Sequence, residues 1–265
     1  MPGTYNTEAI VLRARPLGEK DRVLTLLSPE IGKFAASARG ARNPKSKMSA
    51  ASQPFIYAKF LVARGRSLDI ATQAQIENAH PHIIGHLIKS AWATYLCELC
   101  DAVPEALPDE ELFDLLRATL HNLDAAPDED DLIGMIGAWF EARFLAHAGY
   151  APTLGRCVAC GQKITAEIDA TSQPIEYSPS FGGTLCAVCA PRDPARLSVA
   201  VQALRVLRRL ERADAPPARE TLDEWEMTFK TRRDLRICLR RTLVSHLEIR
   251  LRSQRFLDDL LDARP

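Results

Sequence analysis

Asp21-Arg22-Val23-Leu24-Thr25-Leu26-Leu27 and Lys33-Phe34-Ala35-Ala36-Ser37-Ala38-Arg39-Gly40-Ala41 are two strand-like runs joined by Ser28-Pro29-Glu30-Ile31-Gly32. The joint places Pro early and Gly late. Pro presets φ at an early turn position and Gly tolerates the left-handed conformation at a late one, so the segment reads as a hairpin. Working outward, Thr7 to Arg15 is a strand, and Pro16-Leu17-Gly18-Glu19 turns it into the hairpin. On the other side, Arg42-Asn43-Pro44-Lys45-Ser46-Lys47 is basic and turn-forming. Phe55 to Arg64 is a fourth strand, Gly65-Arg66 a turn, and Ser67 to Ile76 a fifth strand. Five short strands with tight turns predict a small barrel. The five-stranded OB-fold leads, and an SH3-like barrel is the alternative that periodicity does not separate.

The pattern changes at His80-Pro81. From there to Val103 the apolar residues Ile84, Leu87, Ile88, Ala91, Tyr95 and Leu99 fall at helical spacing. Asp109 caps a second helix through Leu123, with acids in its first turn, where the helix dipole favours them. Asp128 to Ala148 forms a third helix, stopped by Gly149, and a loop-rich insert follows at about 152–192. Ser198 then caps a helix to about Ala213, Ala215-Pro216-Pro217-Ala218 is a linker or turn, and a last helical stretch runs from about Thr231 to Leu261. The expected fold class is α+β, with a barrel domain at 1–79 and an α-helical domain at 80–265 that carries the insert.

Formal net charge is zero, from 34 Lys+Arg and 34 Asp+Glu, but the charge is segregated. Residues 1–66 hold 12 basic and 4 acidic side chains, residues 98–131 hold 1 and 12, and residues 192–255 hold 16 and 9. Each basic block attracts phosphates locally, because screening confines its field to about 8–10 Å. The acidic block is read as a solvated helix face. The longest apolar run, near Leu132 to Phe140, is far short of the roughly 18 residues that span a bilayer. Met1 to Glu8 lacks the basic-then-apolar pattern of a signal peptide. A cytoplasmic protein is expected. Seven cysteines, an odd number, argue for reduced thiols rather than a disulfide framework.

Four of those cysteines form two knuckles in the insert, Cys157-Val-Ala-Cys160-Gly and Cys186-Ala-Val-Cys189. Paired C-x-x-C motifs are the ligand pattern of tetrahedral zinc, and a hairpin built from Ile164 to Ile168 and Pro174 to Tyr177 fills the space between them. Gly182-Gly183 supplies a turn before the second knuckle. Four thiolates leave no position for water, so one structural Zn2+ is expected. Cys97-Glu-Leu-Cys100 sits in an apolar helix and reads as core packing, as does Cys238. Phosphate-binding loops, zinc-protease motifs and the G-x-S-x-G nucleophile elbow are all missing, so no enzyme is expected. His80, His82 and His86 read as helix-capping or surface residues.

Several stretches carry a family resemblance. They are Ala9-Ile10-Val11-Leu12-Arg13, Gly18-Glu19-Lys20-Asp21-Arg22-Val23-Leu24 and Ser28-Pro29-Glu30-Ile31-Gly32-Lys33. Most specific is Ala38-Arg39-Gly40-Ala41-Arg42-Asn43-Pro44-Lys45-Ser46. Tyr95-Leu96-Cys97-Glu98-Leu99, Gly149-Tyr150-Ala151-Pro152, the first knuckle and Phe181-Gly182-Gly183-Thr184-Leu185-Cys186-Ala-Val-Cys189 continue it. On these the chain resembles the RecO family of bacterial DNA repair and recombination mediators, over nearly its whole length and only loosely in the last 60 residues.

The resemblance implies an OB-fold followed by a helical domain, and binding of single- and double-stranded DNA with annealing of complementary strands. It also implies a complex with RecR, contact with the acidic tail of single-strand DNA-binding protein, and help in loading RecA during the SOS response to DNA damage, near the nucleoid. The residues add their own expectations. Arg39, Arg42, Lys45 and Lys47, with Arg13 and Lys33, are expected to contact DNA phosphates. Phe34, Phe55 and Tyr57 lie nearby in sequence and read mostly as barrel core. The tail's partner site is expected on the late helix, where Arg232, Arg233, Arg236, Arg240 and Arg241 run beside Leu235, Leu239 and Leu243. The alternative is a zinc-ribbon and OB-fold protein that scaffolds RNA or a transcription complex. A zinc hydrolase is disfavoured by the four-thiolate set.

Overall fold

The computed structural model describes residues 3–104, 107–164, 173–225, 227–247 and 251–263. Strand β1 (Thr4–Leu17) pairs with β2 (Asp21–Ser28) through its second half and with β4 (Tyr57–Ala63) through its first. β2 pairs with β3 (Gly32–Ala38) and β4 with β5 (Asp69–Asn78), all antiparallel. A parallel pairing of β3 with β5 closes the ring in the order β1-β2-β3-β5-β4. This is the OB-type Greek-key barrel. Its parallel pair needs a long crossover, and residues 39–68, which include β4, supply one.

That crossover holds a helix the sequence reading missed, α1 (Lys47–Ala51), capped by Ser46, whose hydroxyl accepts the Met48 N–H at 3.2 Å. Met48 joins Leu24, Leu26, Ala36, Phe60 and Val62 in the barrel core. β3 stops at Ala38 rather than Ala41, because Gly40 takes φ +65° and accepts the Asn43 N–H in a turn.

The single helix expected from His80 to Val103 is two, α2 (Pro81–Gly85) and α3 (Leu87–Asp101). His86 between them is extended, and its ring accepts the Lys89 N–H that begins α3. α4 (Glu110–Ala125) is capped by Asp109 as expected, and α5 (Asp130–His147) follows. The insert holds β6 (Ile175–Ser178), β7 (Gly183–Leu185) and β8 (Leu197–Val199), a small sheet in the order β7-β6-β8. Ser198 therefore lies in a strand and caps nothing. Helix α6 (Val201–Arg212) starts after Ala200, whose N–H donates to Asp234 at 2.7 Å. The strand-like piece expected at Ile164 to Ile168 lies, beyond Ile164, outside the described residues.

α7 (Arg219–Glu224) was not foreseen. The last helical stretch divides into α8 (Phe229–Leu247) and α9 (Arg252–Asp262), with Leu251 extended before α9. Among the described residues no helix is long and apolar enough to cross a membrane.

Packing gathers the chain into two compact units, Met1–Asp128 with Leu251–Pro265, and Glu129–Arg250. The change from strand to helix at residues 79–80 falls inside the first. There α3 packs on β1 and α9 packs on α3. Glu98 of α3 accepts the N–H groups of Arg252 and Ser253 at 3.0 and 2.9 Å, filling orphan donors at the start of α9. Burial raises the Glu98 pKa, but the hydroxyl and N–H of Ser253 and the Arg252 N–H outweigh it and hold the carboxyl below its usual range.

The second unit packs α5, α6 and α8 together around a buried Glu141–Arg240 ion pair of 2.5 Å. Tyr177 of β6 bonds Thr242 of α8 at 2.7 Å, and His246 of α8 bonds the Pro179 carbonyl at 2.9 Å, so the insert is fastened to α8.

Candidate metal centre and nucleic-acid surface

The two knuckles are built by backbone. In the first, the Cys157 N–H reaches the Gln162 carbonyl and the Gly161 N–H returns to the Cys157 carbonyl, both at 2.8 Å. Gly161 has φ +77°, a conformation Gly adopts without a Cβ clash. In the second, the N–H groups of Cys189 and Ala190 bond the Cys186 carbonyl at 3.0 and 2.9 Å. The knuckles meet because Val158 donates to Thr184 at 3.0 Å and Gly183 lies against Thr153, where a Cβ would come within 2.3 Å of the Thr153 carbonyl oxygen.

The four Sγ atoms all lie within 4.8 Å of one another, with Cys160 and Cys186 at 3.8 Å. Cys157, Cys186 and Cys189 are buried over Ile164, Leu185 and Ala190, and Cys160 is exposed. Burial pushes the Cys157 thiol up, but N–H groups of Cys186, Ala159 and Cys160 overcome this and bring it down to about 6. Burial and the other three cysteines push Cys189 up to about 12. The set can hold a metal ion.

The other sulfurs are core. Cys97, Cys100 and Cys238 are buried, and desolvation raises all three pKa values. His80 is buried and bonded to the Phe55 carbonyl at 2.8 Å, His86 caps α3, and His82 is exposed.

The basic loop after β3 is bolted to the β1–β2 turn. The Arg42 N–H donates to the Lys20 carbonyl at 3.0 Å, the Arg42 guanidinium to the Gly18 carbonyl at 2.7 Å, and the Gly40 N–H to the Asp21 carboxylate at 2.8 Å. Arg39, Arg42, Lys45 and Lys47 are all exposed, with exposed Lys20 beside them. Among the described residues, no carboxylate pairs with these four. Such a surface attracts phosphates, since its charge is not already compensated. The β1–β2 turn lay outside the expected site, although an OB-type barrel uses that loop in binding strands.

Arg13 and Lys33 stand apart from this group. Lys33 is 8% exposed and its ammonium bonds Asp101 of α3, which also pairs with Arg13 at 2.8 Å. Both cations tie the barrel to α3. Phe34 packs against the barrel core, Phe55 is buried, and Tyr57 bonds Glu8 and meets Phe113 edge-on, so none of the three is an open stacking platform.

The late helix is a different surface from the one expected. Leu235, Leu239 and Leu243 are buried. Arg240 is buried against Glu141, and Arg232 pairs with Asp131 at 3.0 Å. Arg236 is half-buried, and only Arg233 and Arg241 of the five are exposed.

Comparison with known proteins places this architecture. A family description, Recombination protein O N terminal, matches residues 1–80, and Recombination protein O C terminal matches residues 85–255. The DNA repair protein RecO of Symbiobacterium thermophilum is 34% identical over 98% of this chain and 99% of its own length. That of Pelotomaculum thermopropionicum is 36% identical over 96% and 93%, and that of Synechococcus elongatus 34% over 98% and 97%. With an OB-type barrel, helices and a four-cysteine cluster in the matching order, the chain belongs to the RecO family of DNA repair proteins.

Proposed function

We propose that the chain is a mediator of DNA repair and homologous recombination. In this reading it binds single- and double-stranded DNA and anneals complementary strands. With RecR it helps load RecA onto DNA coated with single-strand DNA-binding protein. The observation that carries the reading is the loop of Arg39, Arg42, Lys45 and Lys47, fixed to the barrel with its cations exposed. Contacts of this kind go to phosphates and are indifferent to sequence, which suits a protein that acts wherever a gap opens.

Annealing needs no covalent step, so the protein is not an enzyme in this reading. Two strands repel through their phosphates, and a protein with two cationic surfaces holds both. The second surface is assigned to exposed Arg233 and Arg241 of α8, which are also what remains of the expected site for the partner's acidic tail. RecR docking and a place in the cytoplasm beside the nucleoid rest on the family resemblance.

The ion is proposed to be zinc. Tetrahedral Zn–S bonds of about 2.3 Å put the sulfurs roughly 3.8 Å apart, which agrees with the 3.8 Å between Cys160 and Cys186. With four thiolates and no open position, the ion serves the fold of the insert. Elemental analysis is expected to give one zinc per chain. Cys157→Ser should lose it and unfold more easily, because structural zinc contributes folding free energy directly. An unchanged metal content in that variant removes Cys157 from the ligand set.

The deciding experiment is annealing of complementary oligonucleotides coated with single-strand DNA-binding protein, with and without the last residues of that protein. Faster annealing that depends on the tail supports the reading. A chain that binds RNA as tightly as DNA and anneals nothing points instead to an RNA or transcription scaffold.

A further inference from the structure

The four cysteines of the insert are not alike. Cys157, Cys186 and Cys189 are buried, and Cys160 is exposed. The chain leaving each knuckle makes the difference. After Cys189 it folds back as a short helical turn, Ala190–Arg192, in which buried Ala190 packs against the cluster. After Cys160 it turns away at Gly161, whose φ is +77°, and Gly161, Gln162 and Lys163 are all exposed. One member of the ligand set is therefore open to solvent while the other three are covered.

Two further features bear on what that sulfur can do. The Sγ of Cys186, in the other knuckle, lies 3.8 Å away. A disulfide bond is about 2.05 Å long, so a closure of roughly 2 Å would join the knuckles. Exposed Arg156 donates from its guanidinium to the Gly161 carbonyl at 3.3 Å, which keeps a cation beside the open end of the first knuckle. A positive charge there stabilises the hydroxide that leaves when a sulfur attacks a peroxide. Metal binding deprotonates a thiol outright, and the thiolate is the form that reacts with oxidants. An exposed thiolate with a second sulfur in reach is the arrangement of a redox-sensing cysteine. Cys97, Cys100 and Cys238 offer the contrast, since all three are buried in helices away from solvent.

We infer that Cys160 is a site of reversible oxidation by peroxides, and that Cys186 resolves it by forming a disulfide across the two knuckles. This rests on the reading above that the cluster holds zinc. In the first step the Cys160 sulfur attacks one peroxide oxygen. An S–O bond forms, the O–O bond breaks and hydroxide leaves, so Cys160 becomes a sulfenic acid. In the second, the Cys186 thiolate attacks that sulfur, the S–O bond breaks and a second hydroxide leaves. Two protons from solvent turn the hydroxides into water. The two sulfurs together give up two electrons, and the peroxide takes them. Cys157 and Cys189 are left, and two thiolates do not make the four-ligand set of a structural site. A thiol reductant reverses the bond and restores the set.

The test treats the whole chain, purified with its metal, with hydrogen peroxide. Freed zinc is read with a chromogenic chelator, thiols are counted after denaturation, and disulfides are located by mass mapping of peptides. Zinc release should run in step with the loss of two thiols and with a Cys160–Cys186 bond, while Cys97, Cys100 and Cys238 stay reduced. Dithiothreitol with added zinc should restore both counts. Cys160→His leaves three cysteines and one histidine, a set that also holds structural zinc, and removes the open sulfur. That variant should keep its zinc through an exposure that empties the wild type.

A chain purified without metal overturns the zinc reading, and this inference with it. A zinc-loaded chain that keeps its metal in peroxide, or loses it only as the three core cysteines oxidise as well, overturns this inference alone. So does release with Cys160 carried to sulfinic acid and no disulfide formed, since that step does not reverse. A bond from Cys160 to Cys157 removes Cys186 as the resolving partner. Equal release from zinc-loaded Cys160→His and wild type removes Cys160 as the point of attack.

Discussion

Two arginine- and lysine-rich stretches look alike in the sequence and behave differently in the fold. Arg39 to Lys47 leaves its cations in solvent and uses backbone groups, together with one guanidinium bond to a carbonyl, to stay in place. Arg232 to Arg241 commits two of its cations to acids and leaves Arg233 and Arg241 exposed. Arg240 is buried on Glu141, and Arg232 is committed to Asp131. The difference comes from the elements that carry them. A loop fixed by its own backbone can keep side chains free. An amphipathic helix in a bundle presents cations to whatever lies across the interface, and acids from α5 lie there.

Arg240→Ala tests the inward half most severely. Breaking a buried ion pair from one side strands the other charge, at a cost of about 3–5 kcal/mol. Urea unfolding should show that loss, while the fraction still folded binds single strands with an unchanged salt slope. A slope that falls would make Arg240 part of the DNA surface and break the comparison. Lys33→Ala sharpens it from the barrel side. This cation sits in the basic block but is buried on Asp101. It should cost about 2 kcal/mol of stability, the scale of a hydrogen bond to a charged group, and leave the slope alone.

The quadruple variant Arg39→Ala, Arg42→Ala, Lys45→Ala, Lys47→Ala should do the reverse. The slope should flatten by roughly 3, at about 0.7 per contact. Stability should fall by no more than about 1 kcal/mol, because only Arg42 gives up a side-chain hydrogen bond. The smallest effect is expected from Arg233→Ala with Arg241→Ala. Stability should change by less than about 0.5 kcal/mol at such exposed sites. Single-strand binding should hold while annealing slows. Equal losses of binding and annealing would remove α8 as a second surface.

How legible all this was depended on whether the signal was local. Knuckle spacing is local, and the four cysteines do converge. The hairpin at Ser28 to Gly32 is local too, and it seeded the right barrel. Charge alone misled at Lys33, because its partner Asp101 lies 68 residues away and only packing brings them together. The leucines of α8 read as part of a partner site beside the arginines because periodicity reports a face without naming its neighbour. Ser198 resembled a helix cap, but pairing with β6 claimed it for a strand, and tertiary context overrode a weak local preference. The break at His86 also carried no periodic signal, since the apolar spacing runs through it.

The bond between Glu98 and Ser253 joins residues 155 positions apart. Measured in the time a ribosome takes, that distance is an interval. At about 5–20 residues per second, roughly 10–30 s pass between synthesis of α3 and of the helix that lies on it. Throughout that time the seat of Leu257 stands uncovered on a nascent chain whose barrel strands have already emerged. The barrel-bearing unit is therefore finished last, after the residues that interrupt it. A translation stall before residue 251 would leave an apolar surface for a chaperone or a protease to find.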